Sequence, residues 1–139
     1  MEIREEVGPE NFFLFGLTAG EVAEMQSRGY RPREYYQQNS MLRDTIDFIA
    51  NGALSRGDVE LFRPIVENLR NHDPFLLLAD YQSYIDAQER VSGLWRDPSA
   101  WTHQSILNTA RMGKFSSDRS IRDYCKLVWN VEPGQLPAK

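Results

Sequence analysis

Residues 113–119 carry the side chains most suggestive of chemistry in this 139-residue chain. Lys114 follows a glycine and precedes a phenylalanine, a setting in which its amine could hold a carbonyl cofactor as a Schiff base. Ser116 and Ser117 lead into Asp118, and hydroxyls at such positions more commonly cap a helix than act as nucleophiles. A helix C-terminal turn at Lys114 explains the same residues without chemistry. We favour this structural interpretation.

The other potential nucleophiles and metal ligands are isolated. His72 and His103 have no second histidine, cysteine or carboxylate at ligand spacing on a shared helical face. Cys125 lies on the apolar side of a predicted helix, where a small buried hydrophobe is expected rather than a reactive thiol. Glu89 and Arg90 fit either a buried ion pair between helices or an exposed pair on one helix. We therefore predict no catalytic, cofactor-binding or metal-binding residue in this chain.

Aromatic side chains make up 12% of the chain, which raises the question of sugar stacking. Most of them recur at helical spacing, so core or interface positions are the favoured interpretation. The set comprises Tyr35, Tyr36, Tyr81, Tyr84, Trp95, Trp101, Tyr124 and Trp129. No glycine-rich phosphate-binding motif is present, because residues 16–20 have the wrong spacing and lead into a helix cap.

The composition is that of a folded acidic protein. Hydrophobic residues make up 41% of the chain, enough for a core, and the net charge of −4 gives a pI near 5.2. Because Lys and Arg are interspersed with Asp and Glu, no nucleic-acid partner is expected. The single cysteine excludes an internal disulfide and favours a reducing compartment, so we expect a cytoplasmic protein. No apolar stretch approaches the ~20 residues that cross a bilayer, and no membrane partner is expected.

Capping residues and apolar stripes predict a succession of helices. Thr18 and Glu21 have the spacing of a capping box, and Gly29 is suited to end that helix in a left-handed conformation. Asp97 followed by Pro98 marks the start of another helix. Further N-caps are predicted at Ser40, Asp80 and Asp118.

One short segment near the start predicts a strand. Residues 11–15 are wholly apolar after Asn11 and are followed by Gly16, which suits a strand buried on both faces of a parallel sheet. A lone strand cannot satisfy its own backbone N–H and C=O groups, so this segment must either pair with something outside this chain or fail to form a sheet at all. A complete α/β domain alternates strands with helices, whereas only helices follow here. The predicted fold class is therefore mainly α, with one short strand and the character of the end of an α/β domain.

Several segments together resemble the C-terminal part of the glycogen, starch and maltodextrin phosphorylases. They keep that family's order and nearly its spacing, and they cover all but the last few residues. Any one of them is weak evidence, but together they are specific. The segments are residues 10–16 (Glu-Asn-Phe-Phe-Leu-Phe-Gly), 29–30, 32–36 (Pro-Arg-Glu-Tyr-Tyr), 61–62, 79–81 (Ala-Asp-Tyr), 88–91 (Gln-Glu-Arg-Val), 101–102, 105–108, 113–119 (Gly-Lys-Phe-Ser-Ser-Asp-Arg) and 129–133 (Trp-Asn-Val-Glu-Pro).

The resemblance implies a parent enzyme of the GT-B type, built from two Rossmann-like halves. That family uses pyridoxal 5′-phosphate to transfer glucosyl units from an α-1,4-glucan to inorganic phosphate, giving glucose 1-phosphate. Its cofactor lysine lies in a Gly-Asn-Met-Lys-Phe context upstream of the segment that matches Glu2, and Lys114 matches a different family segment. The resemblance therefore transfers no catalytic position to this chain, and no pyridoxal phosphate is expected on it.

The resemblance also implies how the chain is organised. We expect a single unit in which residues 1–17 end the sheet region, 18–131 form terminal helices and 132–139 form a tail marked by Pro133 and Pro137. The expected partner is the missing N-terminal part of the same enzyme, with α-1,4-glucan and phosphate as the parent's ligands. The chain alone is expected to be inactive and to self-associate. An independent, non-catalytic helical interaction module is the alternative.

Overall fold

The computed structural model describes residues 2–132 and 134, and these residues are mainly helical, as predicted. The rest of the predicted tail lies outside the described residues. The α-helices in the described part are α1 (Glu2–Val7), α2 (Ala19–Ser27), α3 (Pro32–Gln38), α4 (Ser40–Ala50), α5 (Arg63–Asn71), α6 (Leu77–Trp95), α7 (Pro98–Arg111) and α8 (Ser117–Tyr124). Short 3₁₀ turns occur at Pro9–Asn11, Ala53–Ser55 and Met112–Phe115, and a π-helix at Cys125–Trp129 continues α8.

The chain divides into two compact units. Unit 1 combines Met1–Phe13 with Val91–Lys139, and unit 2 is Leu14–Arg90. The division falls within α6, between Arg90 and Val91. The scheme of a sheet-end region, a helical region and a tail stays a prediction.

The strand predicted for residues 11–15 is wrong. Asn11 ends the 3₁₀ turn Pro9–Asn11, and the described residues contain no strand with which the following segment could pair. Leu14 and Phe15 are 43% and 48% exposed, so the apolar run is not buried on both faces. An unbroken apolar run specifies hydrophobic side chains but does not by itself specify a neighbouring strand.

Side chains of α6 bind the backbone of residues 14–17 instead. Each bond joins a backbone group of residues 14–17 to a polar side chain more than sixty residues away. The bonds are Gly16 N–H to Ser83 Oγ (2.8 Å), Leu17 N–H to Asp80 Oδ1 (2.8 Å) and Arg90 Nη2–H to the Leu14 carbonyl oxygen (3.2 Å). Backbone groups that a sheet would have satisfied therefore obtain partners from a helix.

The core of unit 2 lies among α3, α4, α5 and the first turns of α6. Its buried residues are Leu42, Ile46, Val66 and Leu78. On α4, Leu42 and Ile46 are four positions apart and therefore share one helical face. Tyrosines of α3 and α6 pack around this cluster, together with Ile49, Ala50 and Leu69. Removal of these side chains from water supplies the hydrophobic stabilisation of unit 2.

A buried carboxylate begins α6. Asp73 has no exposed surface, and its two carboxylate oxygens accept the N–H groups of Leu77 (3.0 Å) and Leu78 (2.8 Å). Tyr30 O–H donates to the same carboxylate at 2.6 Å. The N-cap predicted at Asp80 is therefore wrong, since α6 begins three residues earlier and Asp73 satisfies its first amides.

Of the other predicted caps, those at Thr18 and Asp97 are confirmed, and the one at Ser40 is wrong. Thr18 and Glu21 form the reciprocal capping box of α2, and Asp97 accepts two N–H groups at the start of α7. Asn39, rather than Ser40, caps α4, because its Oδ1 accepts the Leu42 N–H at 3.0 Å. Asparagine and serine are equally good caps, so neighbouring candidates cannot be separated by residue type.

In unit 1, polar side chains of α7 bind backbone carbonyl groups near the start of the chain. The buried residues here include Val7, Asn11 and Cys125. Three side chains of α7 donate to carbonyl oxygens of residues 7–11, which lack helical partners of their own. They are Arg111 Nη1 to Val7 (2.7 Å), Gln104 Nε2 to Glu10 (3.0 Å) and Asn108 Nδ2 to Asn11 (3.3 Å).

Candidate functional site

Lys114 lies in the 3₁₀ turn Met112–Phe115 and is paired with a carboxylate. Its Nζ is 2.6 Å from Oε1 of Glu6 on α1, and about half of each side chain or less is exposed. The hydrogen bond that Lys114 donates to Glu6 raises the pKa of the Lys114 amine, and the nearby charges of Glu2 and Glu5 act in the same direction. Lys114 therefore stays protonated at neutral pH.

This arrangement does not fit a lysine that holds pyridoxal phosphate. Schiff-base formation needs a neutral amine, which proteins obtain by lowering the lysine pKa through burial or a neighbouring cation. Lys114 has the opposite environment, with a carboxylate at 2.6 Å and its pKa raised. The interpretation of Lys114 as a structural residue therefore agrees with its geometry.

The two serines after Lys114 lie at the start of α8. Ser116 is the N-cap of α8, and its Oγ accepts the Arg119 N–H at 3.3 Å. Ser117 is the first residue of α8, and Asp118 lies in its first turn. The cap predicted at Asp118 is therefore wrong by two residues, although its charge still favours the helix N-terminus.

The histidines and the cysteine differ in their exposure. His72 and His103 are both exposed, and His72 is the C-cap residue of α5. Cys125 is 8% exposed at the start of the π-helix. In the part of the chain that the structure describes, no three histidine, cysteine or carboxylate side chains are placed to hold a metal ion.

Glu89 and Arg90 are not paired with each other among the described residues. Both residues are exposed on α6, and Arg90 bonds the Leu14 carbonyl oxygen rather than a carboxylate. Neither of the two alternatives left open by the sequence therefore describes Arg90.

Tyr36, Asp47 and Arg70 form a polar contact that joins α3, α4 and α5. Tyr36 O–H donates to Asp47 Oδ1 at 2.7 Å and accepts from Arg70 Nη2 at 2.9 Å. Arg70 is ion-paired with Asp47, and its guanidinium carbon lies 4.5 Å from the centre of the Tyr36 ring. The hydrogen bond to Asp47 raises the pKa of Tyr36. All three groups use one another as partners, so the contact has a structural character.

An open groove of about 400 Å³ lies between α2 and α3, and we call it the α2–α3 groove. The rings of Tyr30 and Tyr35 line it, with centroids 5.5 Å apart and planes inclined by 47°. Two exposed ion pairs also line it, Glu24 with Arg28 and Arg31 with Glu34. Tyr35 belongs to the aromatic set noted in the sequence, and Tyr30 lies outside that set.

The sequence contained no local signal for the position of Tyr30. Its hydroxyl donates to Asp73, which is 43 residues away along the chain. Burial is the main cause of a raised pKa of Tyr30, and the hydrogen bond to Asp73 adds to it. The Tyr30 ring lines the groove, and the hydrogen bond from its hydroxyl to Asp73 fixes its position.

Comparison with known proteins assigns the chain to a class. A family model described as carbohydrate phosphorylase matches residues 1–131. The glycogen phosphorylase of Synechocystis sp. is 50% identical over 133 residues, which cover 96% of this chain and 16% of that protein. The human muscle form is 44% identical over 140 residues, covering 99% of this chain and 17% of the relative. The human liver form is 43% identical over 136 residues, with 98% and 16% covered.

The chain belongs to the carbohydrate phosphorylase family. The family resemblance drawn from the sequence is thereby confirmed over nearly the whole chain. The chain spans about a sixth of the length of these curated relatives. Among the described residues, every helix is too short or too polar to cross a bilayer.

Proposed function

We propose that this chain is the C-terminal structural part of an α-1,4-glucan phosphorylase, an enzyme that transfers glucosyl units from glycogen or maltodextrin to phosphate. The observation that carries the proposal is 43–50% identity across nearly the whole chain to glycogen phosphorylases, of which it covers only 16–17%. In this proposal the catalytic residues belong to the rest of the enzyme, a cytoplasmic protein of the GT-B type.

The proposal also assigns pyridoxal phosphate to a lysine elsewhere in the parent. Lys114 is the lysine that the sequence first suggested, and its pairing with Glu6 at 2.6 Å supports a structural role. Arg111 and Gln104 likewise use their polar groups to bind backbone near the start of the chain. Because these side chains already bind protein groups, we assign them to holding helices in place rather than to binding substrate.

Reconstitution of a split enzyme tests the proposal. The Synechocystis glycogen phosphorylase would be produced without the 133 residues that align here, and mixed with this chain in the presence of pyridoxal phosphate. We expect neither part alone to release glucose 1-phosphate from maltodextrin, and the mixture to do so. Turnover by this chain alone, with a lysine-dependent imine absorbance, would contradict the proposal.

A substitution at Lys114 makes the cofactor assignment testable in the same assay. Lys114→Met removes the amine but keeps the length of the side chain, so the reconstituted enzyme should keep its imine absorbance and its activity. Loss of the imine band would show that Lys114 holds the cofactor. Lys126→Met serves as a matched control, because Lys126 is an exposed lysine on the π-helix.

The alternative is an independent helical interaction module. Its support is that unit 2 has a buried cluster of its own and that α2 has a complete capping box. Large exposed apolar side chains in unit 1, such as Leu127 (76% exposed) and Trp129 (56%), instead suit a segment covered by other protein. If the chain is an independent module, light scattering should show a monodisperse monomer. If it is a structural part of a larger enzyme, the isolated chain should self-associate.

A further inference from the structure

We propose that Asn51 is a site of spontaneous covalent modification, at which the chain closes a succinimide ring and reopens it as aspartate or isoaspartate. The reaction needs an asparagine whose side-chain amide can be attacked by the backbone nitrogen of the next residue. Asn51 is followed by Gly52 and is the only asparagine of this chain that precedes a glycine. Glycine has no Cβ, so its backbone nitrogen is unshielded and the bonds beside it rotate freely.

The end of α4 requires the glycine of this pair. Asn51 is the C-cap residue of α4, and Gly52 follows it in a left-handed conformation with φ +84°. A Cβ added to Gly52 would lie 3.1 Å from the carbonyl carbon of Gly57. A larger residue would therefore strain the turn both in its own backbone and against a neighbouring one. The turn that ends the helix thus imposes the glycine that makes Asn51 reactive.

The Asn51 side chain is held beside its nucleophile. Its Oδ1 accepts the N–H of Ala53 at 2.9 Å, which closes a hydrogen-bonded ring that includes the Gly52 nitrogen. A hydrogen bond to this oxygen also polarises the Cγ carbonyl, as attack on that carbon requires. Asn51 is exposed, so water and hydroxide reach its side chain.

Ring closure requires local opening of the turn formed by residues 52–57. The bond between Cα and C of Asn51 must rotate from its observed ψ of 0°, and this rotation moves Gly52. The Gly52 carbonyl oxygen accepts the N–H groups of Ser55 at 3.1 Å and Gly57 at 2.9 Å, and these bonds oppose the rotation. Local opening at a helix end costs less free energy than unfolding of the whole unit. The rate of modification therefore follows the opening of this turn.

The reaction balances with water as its only co-reactant. The deprotonated Gly52 nitrogen attacks Asn51 Cγ, a C–N bond forms, and the bond from Cγ to Nδ2 breaks. Ammonia leaves with the proton that the Gly52 nitrogen gave up. Water then opens the ring at either of its two carbonyls, which gives aspartate or isoaspartate. Both products replace a neutral amide with a carboxylate, and isoaspartate also adds one CH₂ group to the main chain.

The new carboxylate lies at the unfavourable end of α4. The C-terminus of a helix carries a partial negative charge, which repels an anion. Asp47 is four residues earlier on the same helical face, so the two like charges also repel each other. In isoaspartate the longer main chain displaces Gly52 from its bonds with Ser55 and Gly57. We therefore expect the modification to lower the stability of unit 2.

Incubation of this chain in mildly alkaline buffer, followed by peptide mass spectrometry and isoaspartyl methyltransferase labelling, tests the site. Product should accumulate in the peptide that contains Asn51, and faster as the pH rises. Asn71 is the internal control, because it is also exposed and ends α5 but is followed by His72. We expect modification at Asn51 to be at least about tenfold faster, the ratio given by a barrier lower by about 1.4 kcal/mol. Equal rates at the two asparagines, or no product at Asn51, would overturn the proposal.

Two substitutions connect the chemistry to the end of α4. Asn51→Gln keeps a side-chain amide but needs a six-membered ring, which closes more slowly, so its urea transition should not change on incubation. In the unsubstituted chain the modified fraction should unfold at a lower urea concentration than the unmodified fraction. Asn51→Asp adds the charge without lengthening the main chain and should lose less stability than the isoaspartate fraction. Identical urea transitions of the modified and unmodified fractions would refute the effect on α4.

The requirement for local opening has its own test. Urea at concentrations below the unfolding transition should speed modification of Asn51, because it favours opening of the turn. A rate that does not respond to urea would contradict this route. None of these outcomes depends on whether the chain reconstitutes a phosphorylase.

Discussion

Removal of the Tyr30 hydroxyl should destabilise unit 2 strongly, because it takes a hydrogen bond from a buried charge. Asp73 has no exposed surface, and Tyr30 O–H donates to it at 2.6 Å. In Tyr30→Phe the carboxylate keeps the N–H groups of Leu77 and Leu78 but loses its third donor. Hydrogen bonds to charged groups contribute about 1.5–3 kcal/mol, so we expect unfolding of unit 2 to become about 2 kcal/mol easier.

The position of the tryptophans decides how this loss is measured. Trp95, Trp101 and Trp129 all belong to unit 1, so a probe that lies within unit 2 is needed. Native-state hydrogen exchange at the Leu78 amide is the sharper assay, since that N–H donates directly to Asp73. Its protection should fall by about 2 kcal/mol in the variant, and the far-ultraviolet circular dichroism transition in urea should move to lower concentration.

A double-mutant cycle isolates the contact. Asp73→Asn removes the charge but leaves an acceptor, and Tyr30→Phe removes the donor. If the two residues interact as the structure shows, their combined effect should differ from the sum by about 1 kcal/mol. Additive effects would refute the contact.

Tyr84→Phe provides the matched control. Tyr84 is 41% exposed, and its ring packs edge-on against Phe15 without need of the hydroxyl. Its removal should change stability by less than about 0.5 kcal/mol. A loss for Tyr30→Phe no greater than that of this control would show that the buried bond contributes nothing.

The same contact predicts a dependence on alkaline pH. Burial, with the hydrogen bond to Asp73, raises the pKa of Tyr30 above its ordinary value of 10.0. The stabilisation from this group is therefore complete below pH 10 and is lost as the pH rises above that value, where the unfolded chain gives up the proton first. Tyr30→Phe should show a smaller loss of stability over that range.

Three further substitutions probe other contacts. Thr18→Ala should cost α2 about 1 kcal/mol by removing its cap, as measured by urea unfolding. Because Thr18 lowers the pKa of Glu21 below 4.5, the associated stabilisation is present above that pH and is lost as the pH falls through the lowered value, a loss that the variant should reduce. Arg70→Met should cost about 1–2 kcal/mol by breaking the contact among α3, α4 and α5, whereas Arg63→Met, at an exposed pair, should cost less than about 0.5 kcal/mol. Gly16→Ala should cost about 1–2 kcal/mol in thermal unfolding, since φ is +86° and the new Cβ would lie 3.0 Å from Asp80 Oδ2; a neutral effect would refute the close approach.

Features set by neighbouring residues could be predicted from the sequence. The capping box of Thr18 and Glu21 and the start of α7 at Asp97 depend on side chains within three or four positions of the amides they bind. The same local reasoning placed the start of α6 too late, because Asp73 approaches it from a left-handed conformation (φ 36°) that the sequence does not announce. Where the cap and the helix are separated by an irregular turn, residue type alone does not locate the boundary.

Features set by distant residues could not be predicted. Glu6 is 108 residues from Lys114, and Tyr30 is 43 from Asp73, so neither pair has a spacing that a sequence pattern can reveal. The environment of Lys114 nevertheless agrees with the structural interpretation, because the local pattern already indicated a turn and a helix start. The α2–α3 groove depends on how Tyr30 and Tyr35 are turned, and helical spacing gives the face of a residue but not the partner of its hydroxyl.

The conformation of residues 14–17 depends on side chains encoded far from the segment itself. In a sheet, ladder bonds join backbone to backbone, so most substitutions leave them unchanged. Here the partners are the side chains of Ser83, Asp80 and Arg90, and each can be lost by a change in a single codon. A substitution on α6 can therefore change the conformation of residues 14–17 although the residues of that segment are unaltered. Related sequences that keep Asp80, Ser83 and Arg90 should thus keep the conformation of the segment before α2. Related sequences that lose these side chains should lose that conformation too.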